Sequence, residues 1–123
     1  MVDFLSLDDL LDIAHGVLPE VAVRDAGLLV AAAERPRMTV FGEEAYPELE
    51  TKAAALLHSL ARNHALVEGN EQLAWSATRV FCLLNGTDLA YTVDDAETMI
   101  RATAAGDIDV TEVSAWMRAH RFD

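Results

Sequence analysis

The sequence predicts an all-α fold of six helices, with one short β flap as the exception. Three observations support this prediction: apolar residues recur at helical spacing, capping residues precede most apolar stretches, and Gly or Pro ends them. The connections are short, which favours one bundle over separate units. Because the chain contains no linker, repeat or low-complexity segment, we expect a single domain over residues 1–123.

Local signals mark the first two helices. Ser6 with Asp9 forms a reciprocal capping pair that begins the first helix, and Pro19 closes it. One face of this helix is apolar and carries Leu7, Leu10, Leu11 and Ala14. The second helix is expected from about 25 to 35, because Pro36 disfavours helical backbone in the residue before it.

The flap and the next two helices follow. Residues 38–42 are too short and too rich in β-forming residues for a helix, so they predict an extended flap or a weak hairpin. Pro47 suits the first turn of a third helix that runs to Asn63. The fourth helix, from about 71 to 85, is apolar nearly all round. This pattern predicts the buried centre of the bundle, and Gly86 is expected to end the helix in a left-handed cap.

Capping pairs also predict the last two helices. Thr92 with Asp95 begins the fifth helix, which Gly106 ends. Asp109 with Glu112 begins the sixth, whose apolar face carries Val113 and Trp116.

Composition limits the possible partners. The formal net charge is -12, with Lys52 as the only lysine, so no basic patch is available to neutralise a nucleic-acid backbone. A basic partner suits this charge better, although solubility alone explains much of it. No apolar run reaches the roughly 18 residues of a membrane span, and the first residues lack the basic start of a signal peptide. A single cysteine, Cys82, forms no internal disulfide, which favours a reducing, cytoplasmic location.

The segment from His64 to Ala74 is the most informative motif. It places a histidine and an acid, Glu68, around a short turn that opens a helix. The first turn of a helix presents unpaired N–H groups and partial positive charge, which attract a phosphate. A base, a possible metal ligand and an anion cradle so close together predict a phosphoryl-transfer site.

This loop resembles that of the Fic/Doc family, and within it the short Doc (death on curing) toxins. The family pattern is His-x-Phe-x-Asp/Glu-Gly/Ala-Asn-x-Arg. His64, Glu68, Gly69 and Asn70 match it, and Leu66 replaces the aromatic residue. The flanks extend the resemblance over nearly the whole chain, through residues 24–29 with 35–36, 46–60, 84–86, and 105–109 with Trp116.

The resemblance implies a chemistry for these residues. Fic proteins transfer a nucleoside monophosphate from a nucleoside triphosphate to a protein hydroxyl, and Doc toxins phosphorylate a threonine of elongation factor Tu. By resemblance, His64 is the base that activates the hydroxyl and Glu68 helps to hold Mg²⁺. Gly69 lines the anion cradle together with Asn70, which is also a candidate catalytic residue. Thr39 and Val40 lie in the flap that docks the target segment by strand addition, and an antitoxin helix covers the groove of the site.

The motif also departs from the family. Doc proteins continue with Lys-Arg, and Fic proteins with Gly-Arg, where this chain has Glu71 and Gln72. Loss of one phosphate-clamping arginine costs about a thousandfold or more in phosphoryl transfer. We therefore expect weak or absent Doc kinase activity unless another cation compensates. Arg79 lies two turns along the helix, away from its first turn. Arg35, Arg37 and Arg62 cannot be placed from sequence.

Several residues have a plainer interpretation beside the functional one. Glu71 is either a surface acid that favours the helix N-terminus or a carboxylate able to act as acid, base or cation ligand, and Gln72 is either a hydrogen-bonding remnant of the arginine or inert. Packing or solvation suffices for the remaining histidines, for Cys82 and for the two tryptophans. Arg24 and Asp25 are expected to fix the start of the second helix. The acids Asp94, Asp95 and Glu97 are explained by the helix dipole.

Three functions follow from these observations. The first is a toxin-type transferase with attenuated or altered activity. The second is a repurposed enzyme in a biosynthetic pathway, in which His64 with Glu68 or Glu71 performs acid–base chemistry on a small molecule or a modified peptide. The third is a catalytically silent homologue that binds a partner such as an antitoxin.

Overall fold

Six helices account for most of the chain, which confirms the all-α prediction. The computed structural model describes residues 1–122. The helices in chain order are α1 (Leu7–Val17), α2 (Ala26–Glu34), α3 (Leu49–Arg62), α4 (Asn70–Leu84), α5 (Val93–Ala105) and α6 (Val110–Ala119). A 3-10 turn at Arg35–Arg37 continues α2 and contains Pro36, whose fixed φ is compatible with such a turn.

Two small antiparallel sheets accompany the helices. The predicted flap is a hairpin of β1 (Thr39–Val40) and β2 (Glu43–Glu44), with Thr39 opposite Glu44 and Val40 opposite Glu43. The second sheet pairs β3 (Asp88–Leu89) with β4 (Arg121–Phe122). The sequence did not predict this second sheet, because strands of two residues show no alternation of polar and apolar positions.

The predicted helix boundaries are largely confirmed. Capping boxes stand at Ser6 with Asp9 and at Asp109 with Glu112, and the Thr92 hydroxyl accepts from the Asp95 amide. Gly86 and Gly106 follow α4 and α5 with positive φ. The prediction that Pro47 lies in the first turn of α3 was wrong. The Thr51 hydroxyl accepts from the Glu48 N–H and donates to the Glu48 carbonyl, which makes Glu48 the N-cap and leaves Pro47 outside.

The most enclosed helix is α3, not α4. Residues 52–57 and 59–61 of α3 are all buried, and this helix packs against α2, α4, α5 and α6. The motif helix α4 is buried along one face, but Leu83 and Leu84 near its C-terminus are half exposed. Hydrophobicity suggested a central α4. The alanines of α3 decide otherwise, because small side chains let several helices approach closely.

Aromatic side chains join the C-terminal part of the bundle. The Trp75 ring meets the rings of Tyr91 and Trp116 edge-on, with centroids 4.8 and 5.9 Å apart. The His120 ring stacks on Trp116 at 3.9 Å, and its Nδ1 lies 2.8 Å from the Trp116 carbonyl oxygen. His120 is therefore a half-buried packing residue rather than a solvated one.

Two expectations about environment are also answered. Cys82 is buried, and burial raises the pKa of its thiol to about 11, as expected of a core residue rather than a nucleophile. Within residues 1–122, none of the helices combines the length and apolar character that crossing a bilayer requires.

Leu57→Ala tests whether α3 is the structural centre. Leu57 is fully buried, so its truncation leaves a cavity, and we expect the free energy of unfolding to fall by about 2–5 kcal/mol. Urea unfolding measures the change, and Leu83→Ala on the half-exposed face of α4 is the matched control. Equal losses in both variants would contradict a core centred on α3.

Candidate functional site

The predicted motif lies in the loop that joins α3 to α4, residues 63–69. Ala65 and Leu66 are buried, whereas His64, Val67 and Glu68 are exposed. Leu66, at the position of the family's aromatic residue, therefore anchors the loop to the core. The imidazole of His64 is solvent-accessible and is not turned into the hydrophobic interior.

His64 has an unusual backbone conformation. It follows Asn63, the C-cap of α3, and has φ of +51°. This first position beyond the cap is usually glycine, because a side chain costs about 1–2 kcal/mol in left-handed backbone. The chain retains an imidazole at a position where backbone sterics favour glycine.

Asn70 holds the loop in shape. Its side-chain oxygen accepts from the Leu66 amide at 3.0 Å, and its side-chain nitrogen donates to the Leu66 carbonyl at 2.9 Å. Both polar groups of this predicted catalytic and anion-binding residue are thus occupied by one backbone unit. In this structure the Asn70 side chain therefore shapes the loop.

Gly69 makes the turn into α4 possible. Its φ is +86°, and a Cβ at this position would lie 2.6 Å from a Leu18 methyl carbon, so both backbone sterics and the close approach of α1 require glycine. No side chain caps this end of α4. The amides of the first turn therefore have no capping side chain as a partner, while the binding of an anion there stays a prediction.

The remaining predicted residues divide between two places. Glu71 and Gln72 are exposed on the first turn of α4 and line a pocket of about 430 Å³ between α4 and α5. Trp75 and Tyr91 supply its aromatic wall, and Glu97 and Arg101 stand on α5. His64 and Glu68 do not line this pocket, so the structure does not bring the two groups of predicted site residues into one cavity.

Among the described residues, no group of three or more His, Cys, Asp or Glu side chains is arranged to hold a metal ion. Glu68 is an exposed carboxylate in the loop. One such carboxylate suits a Mg²⁺ ion whose other ligands are water and substrate phosphates, which is the usual pattern for magnesium in phosphoryl transfer. The magnesium site at Glu68 stays a prediction, and the part of the chain that the structure describes offers no closed protein cage for a metal ion.

The flap carries Thr39 and Val40 on an exposed strand. Phe41 and Gly42 form its turn with φ of +52° and +79°, and the Phe41 side chain is completely exposed. An aromatic residue at a positive φ is strained, and full exposure gives it no packing in return. Strained residues of this kind concentrate at functional sites, which is consistent with a docking role for the flap.

Buried charge fixes the base of this flap. The Lys52 side chain is only 1% exposed, and its amine lies 3.1 Å from a Glu44 carboxylate oxygen and donates to the Tyr46 carbonyl. Sequence reasoning noticed Lys52 only as the sole lysine. Its position within the apolar stripe of α3 was the available signal, because a buried lysine requires a partner.

A second polar cluster lies between the 3-10 turn and α3. Arg35 donates to the Tyr46 hydroxyl at 2.9 Å, to His58 Nδ1 at 2.9 Å and to the Ser59 hydroxyl at 3.0 Å. Since a guanidinium only donates, His58 Nδ1 is the acceptor and the ring is neutral. Burial, followed by the charges of Arg35 and Arg62, lowers the pKa of His58, while Asp109 opposes the shift.

The arginines considered as replacement cations are engaged elsewhere. Arg35 belongs to the cluster with His58, Arg37 lies over the Phe4 ring, and Arg62 donates to the Ala104 carbonyl. Arg79 forms paired hydrogen bonds with Asp88, whose pKa is lowered by that contact. The cation at the loop is Arg24, which was predicted only to help fix the start of α2. Asp25 alone performs that capping role.

Comparison with known proteins shows which family this sequence resembles. A model of the Fic/DOC family matches residues 4–82, a region that includes the flap and the whole loop. The chain is also similar to a protein named Toxin Doc from Mycolicibacterium smegmatis. The two are 48% identical over 120 residues, which cover 94% of this chain and 91% of the relative.

The His58 cluster predicts a specific pH dependence. Because the pKa of His58 is lowered in the folded chain, its stabilising effect is complete above the unfolded pKa of about 6.5 and is lost as pH falls through the lowered folded value. His58→Gln is expected to flatten the fall in stability between about pH 7 and pH 5. The midpoints of urea unfolding at pH 7 and pH 5 measure this change in stability. His15→Gln, at an exposed position of α1, is the control. An unchanged slope in His58→Gln would contradict it.

Proposed function

The chain belongs to the Fic/Doc family, and we propose that it is a Doc-type toxin that transfers a phosphoryl or nucleotidyl group to a hydroxyl of a protein target. The observation that carries this proposal is His64. This exposed residue adopts left-handed backbone in the loop that leads to the uncapped start of α4. Strain retained at such a position is explained when the side chain has a task that glycine cannot perform.

The proposed reaction uses the loop as follows. His64 accepts the proton of the target hydroxyl, and the oxygen attacks a phosphorus atom of a nucleoside triphosphate. Attack on the γ-phosphorus releases a nucleoside diphosphate, and attack on the α-phosphorus releases pyrophosphate. The unpaired amides at the start of α4 stabilise negative charge on the phosphate oxygens. Glu68 would hold Mg²⁺, which supplies charge neutralisation when bound.

We further propose that the activity is attenuated. The two positions after Asn70 carry Glu71 and Gln72, so the first turn of α4 adds negative charge where a triphosphate requires positive charge. Arg35, Arg37 and Arg79 make their contacts with His58, Phe4 and Asp88, respectively, and so do not replace the missing cations. Arg101 on α5 stands at the pocket wall with a Glu97 carboxylate oxygen 3.7 Å away, which offsets its charge there.

The flap and the charge suit protein partners. The exposed strand of Thr39 and Val40 offers backbone groups for strand addition by a target segment. The relative's name, Toxin Doc, supports a toxin–antitoxin setting with an antitoxin-like partner. A net charge of -12 favours a basic binding face on that partner. We place this system in the cytoplasm, where elongation factor Tu acts, because that factor is the target the family resemblance implies.

The double substitution Glu71→Lys/Gln72→Arg, which introduces the Lys-Arg pair of Doc proteins, tests the proposal. The chain is incubated with magnesium, elongation factor Tu and ATP labelled at either the γ- or the α-phosphate, which separates phosphoryl from nucleotidyl transfer. We expect weak labelling by the natural sequence and about a thousandfold more by Glu71→Lys/Gln72→Arg, because the two cations return to the phosphate site.

Two controls make this result specific. Asp12→Lys/Thr111→Arg makes the same change in net charge on exposed positions of α1 and α6 and is expected to leave labelling unchanged. His64→Ala in the restored background removes the base and is expected to abolish labelling, whereas His15→Ala leaves it intact. The proposal would be contradicted if Glu71→Lys/Gln72→Arg folds and binds MgATP but does not label elongation factor Tu.

The pocket favours a second candidate function, acid–base chemistry on a small molecule or a modified peptide. Its wall combines Glu71 and Gln72 with the aromatic rings of Trp75 and Tyr91, a lining suited to a neutral or cationic ligand rather than a polyphosphate. Calorimetry with MgATP discriminates between the two functions. Tight binding by the natural sequence removes the support for this second candidate. Absence of binding that persists in Glu71→Lys/Gln72→Arg strengthens it.

A further inference from the structure

The segment before α2 is paired with the motif loop. The amides of Arg24 and Asp25 donate to the Ala65 carbonyl at 2.8 and 3.0 Å, and the Val67 amide donates to the Ala22 carbonyl at 2.9 Å. Val23 and Leu66 form an antiparallel bridge between these bonds. The backbone of residues 22–25 therefore pairs with the loop from another segment of the chain. The side chain of Asn70, at the start of α4, binds the backbone of Leu66.

The Arg24 side chain adds a contact at the strained residue itself. Its Nε donates to the His64 carbonyl at 2.7 Å, and its Nη2 donates to the Asn63 carbonyl at 3.2 Å. These carbonyls stand at the C-terminal end of α3, where unpaired acceptors and the helix dipole favour a cation. Within residues 1–122, no carboxylate lies within 4.0 Å of Arg24 to compete for the guanidinium.

We propose that Arg24 is a positioning residue for His64. Its guanidinium binds the carbonyls of Asn63 and His64 and thereby fixes the peptide units before and after the left-handed residue. This contact stabilises a φ that histidine alone disfavours, and it confines the imidazole to one backbone setting beside α4. The claim that Arg24 supports group transfer through His64 rests on the proposed function. The claim that Arg24 stabilises the backbone at His64 does not.

The alternative is that Arg24 merely stabilises the end of α3. Any cation near the last carbonyls would satisfy that role, so lysine would replace arginine. The positioning role instead requires the two-pronged donor, which lysine lacks. It also requires the strain at His64. When glycine occupies position 64, positive φ carries no side-chain penalty and Arg24 should become dispensable to the loop.

Amide hydrogen exchange tests the inference through the loop amides of Asp25 and Val67, whose acceptors lie across the pairing. We expect Arg24→Met and Arg24→Lys to accelerate exchange at these amides by about tenfold or more, since hydrogen bonds to a charged group are the strong ones. In a His64→Gly background, Arg24→Met should accelerate exchange by less than about threefold, because glycine keeps the left-handed backbone unaided. Arg62→Met is the matched control, because Arg62 also lies at the end of α3 but donates to Ala104.

Equal acceleration by Arg24→Met in the natural sequence and in the His64→Gly background would overturn the inference, as would protection restored by Arg24→Lys. The activity arm uses Glu71→Lys/Gln72→Arg, in which Arg24→Met should lower kcat for labelling with little change in KM for ATP. A change confined to KM would also overturn it. If the restored chain labels no target, the proposed function fails, yet the exchange result still decides whether Arg24 positions the loop.

Discussion

The short turn between α3 and α4 is the constraint on which the candidate site depends. The chain reverses over residues 63–69 while Ala65 and Leu66 enter the core, so their backbone groups require partners there. Asn70 supplies them to Leu66, and the Arg24–Asp25 backbone supplies them to Ala65. With those partners in place, His64 is left exposed in a conformation that only a well-fixed loop can maintain.

Two pairs of neighbouring residues, one in the turn into α4 and one in its first turn, have different roles. Gly69 and Asn70 shape the local geometry of the loop. Glu71 and Gln72 stand where the family resemblance implies a phosphate clamp, and in this structure they contribute to a pocket wall. Because the side chains of Glu71 and Gln72 are exposed, we expect a mutation at either position to change the electrostatics of the site without unfolding the loop.

Local signals predicted the fold well, and long-range contacts explain what they missed. The caps at Ser6, Thr92 and Asp109 were readable because capping acts within three residues. The loop with His64 and Glu68 was recognised from a contiguous sequence motif, and the catalytic roles of these residues stay predictions. The contact of Arg24 with His64, the buried Lys52 pair and the enclosure of α3 were not, because each depends on packing between segments distant in sequence. Hydrophobicity ranked α4 above α3, whereas side-chain size decided which helix is surrounded.

A crystal structure of Glu71→Lys/Gln72→Arg with magnesium and a non-hydrolysable ATP analogue tests the account most directly. We expect phosphate oxygens to accept hydrogen bonds from the first-turn amides of α4. His64 should remain at positive φ, and Arg24 should still donate to the carbonyls of Asn63 and His64. A nucleotide bound elsewhere on the chain, or a loop in which His64 has returned to negative φ, would contradict it.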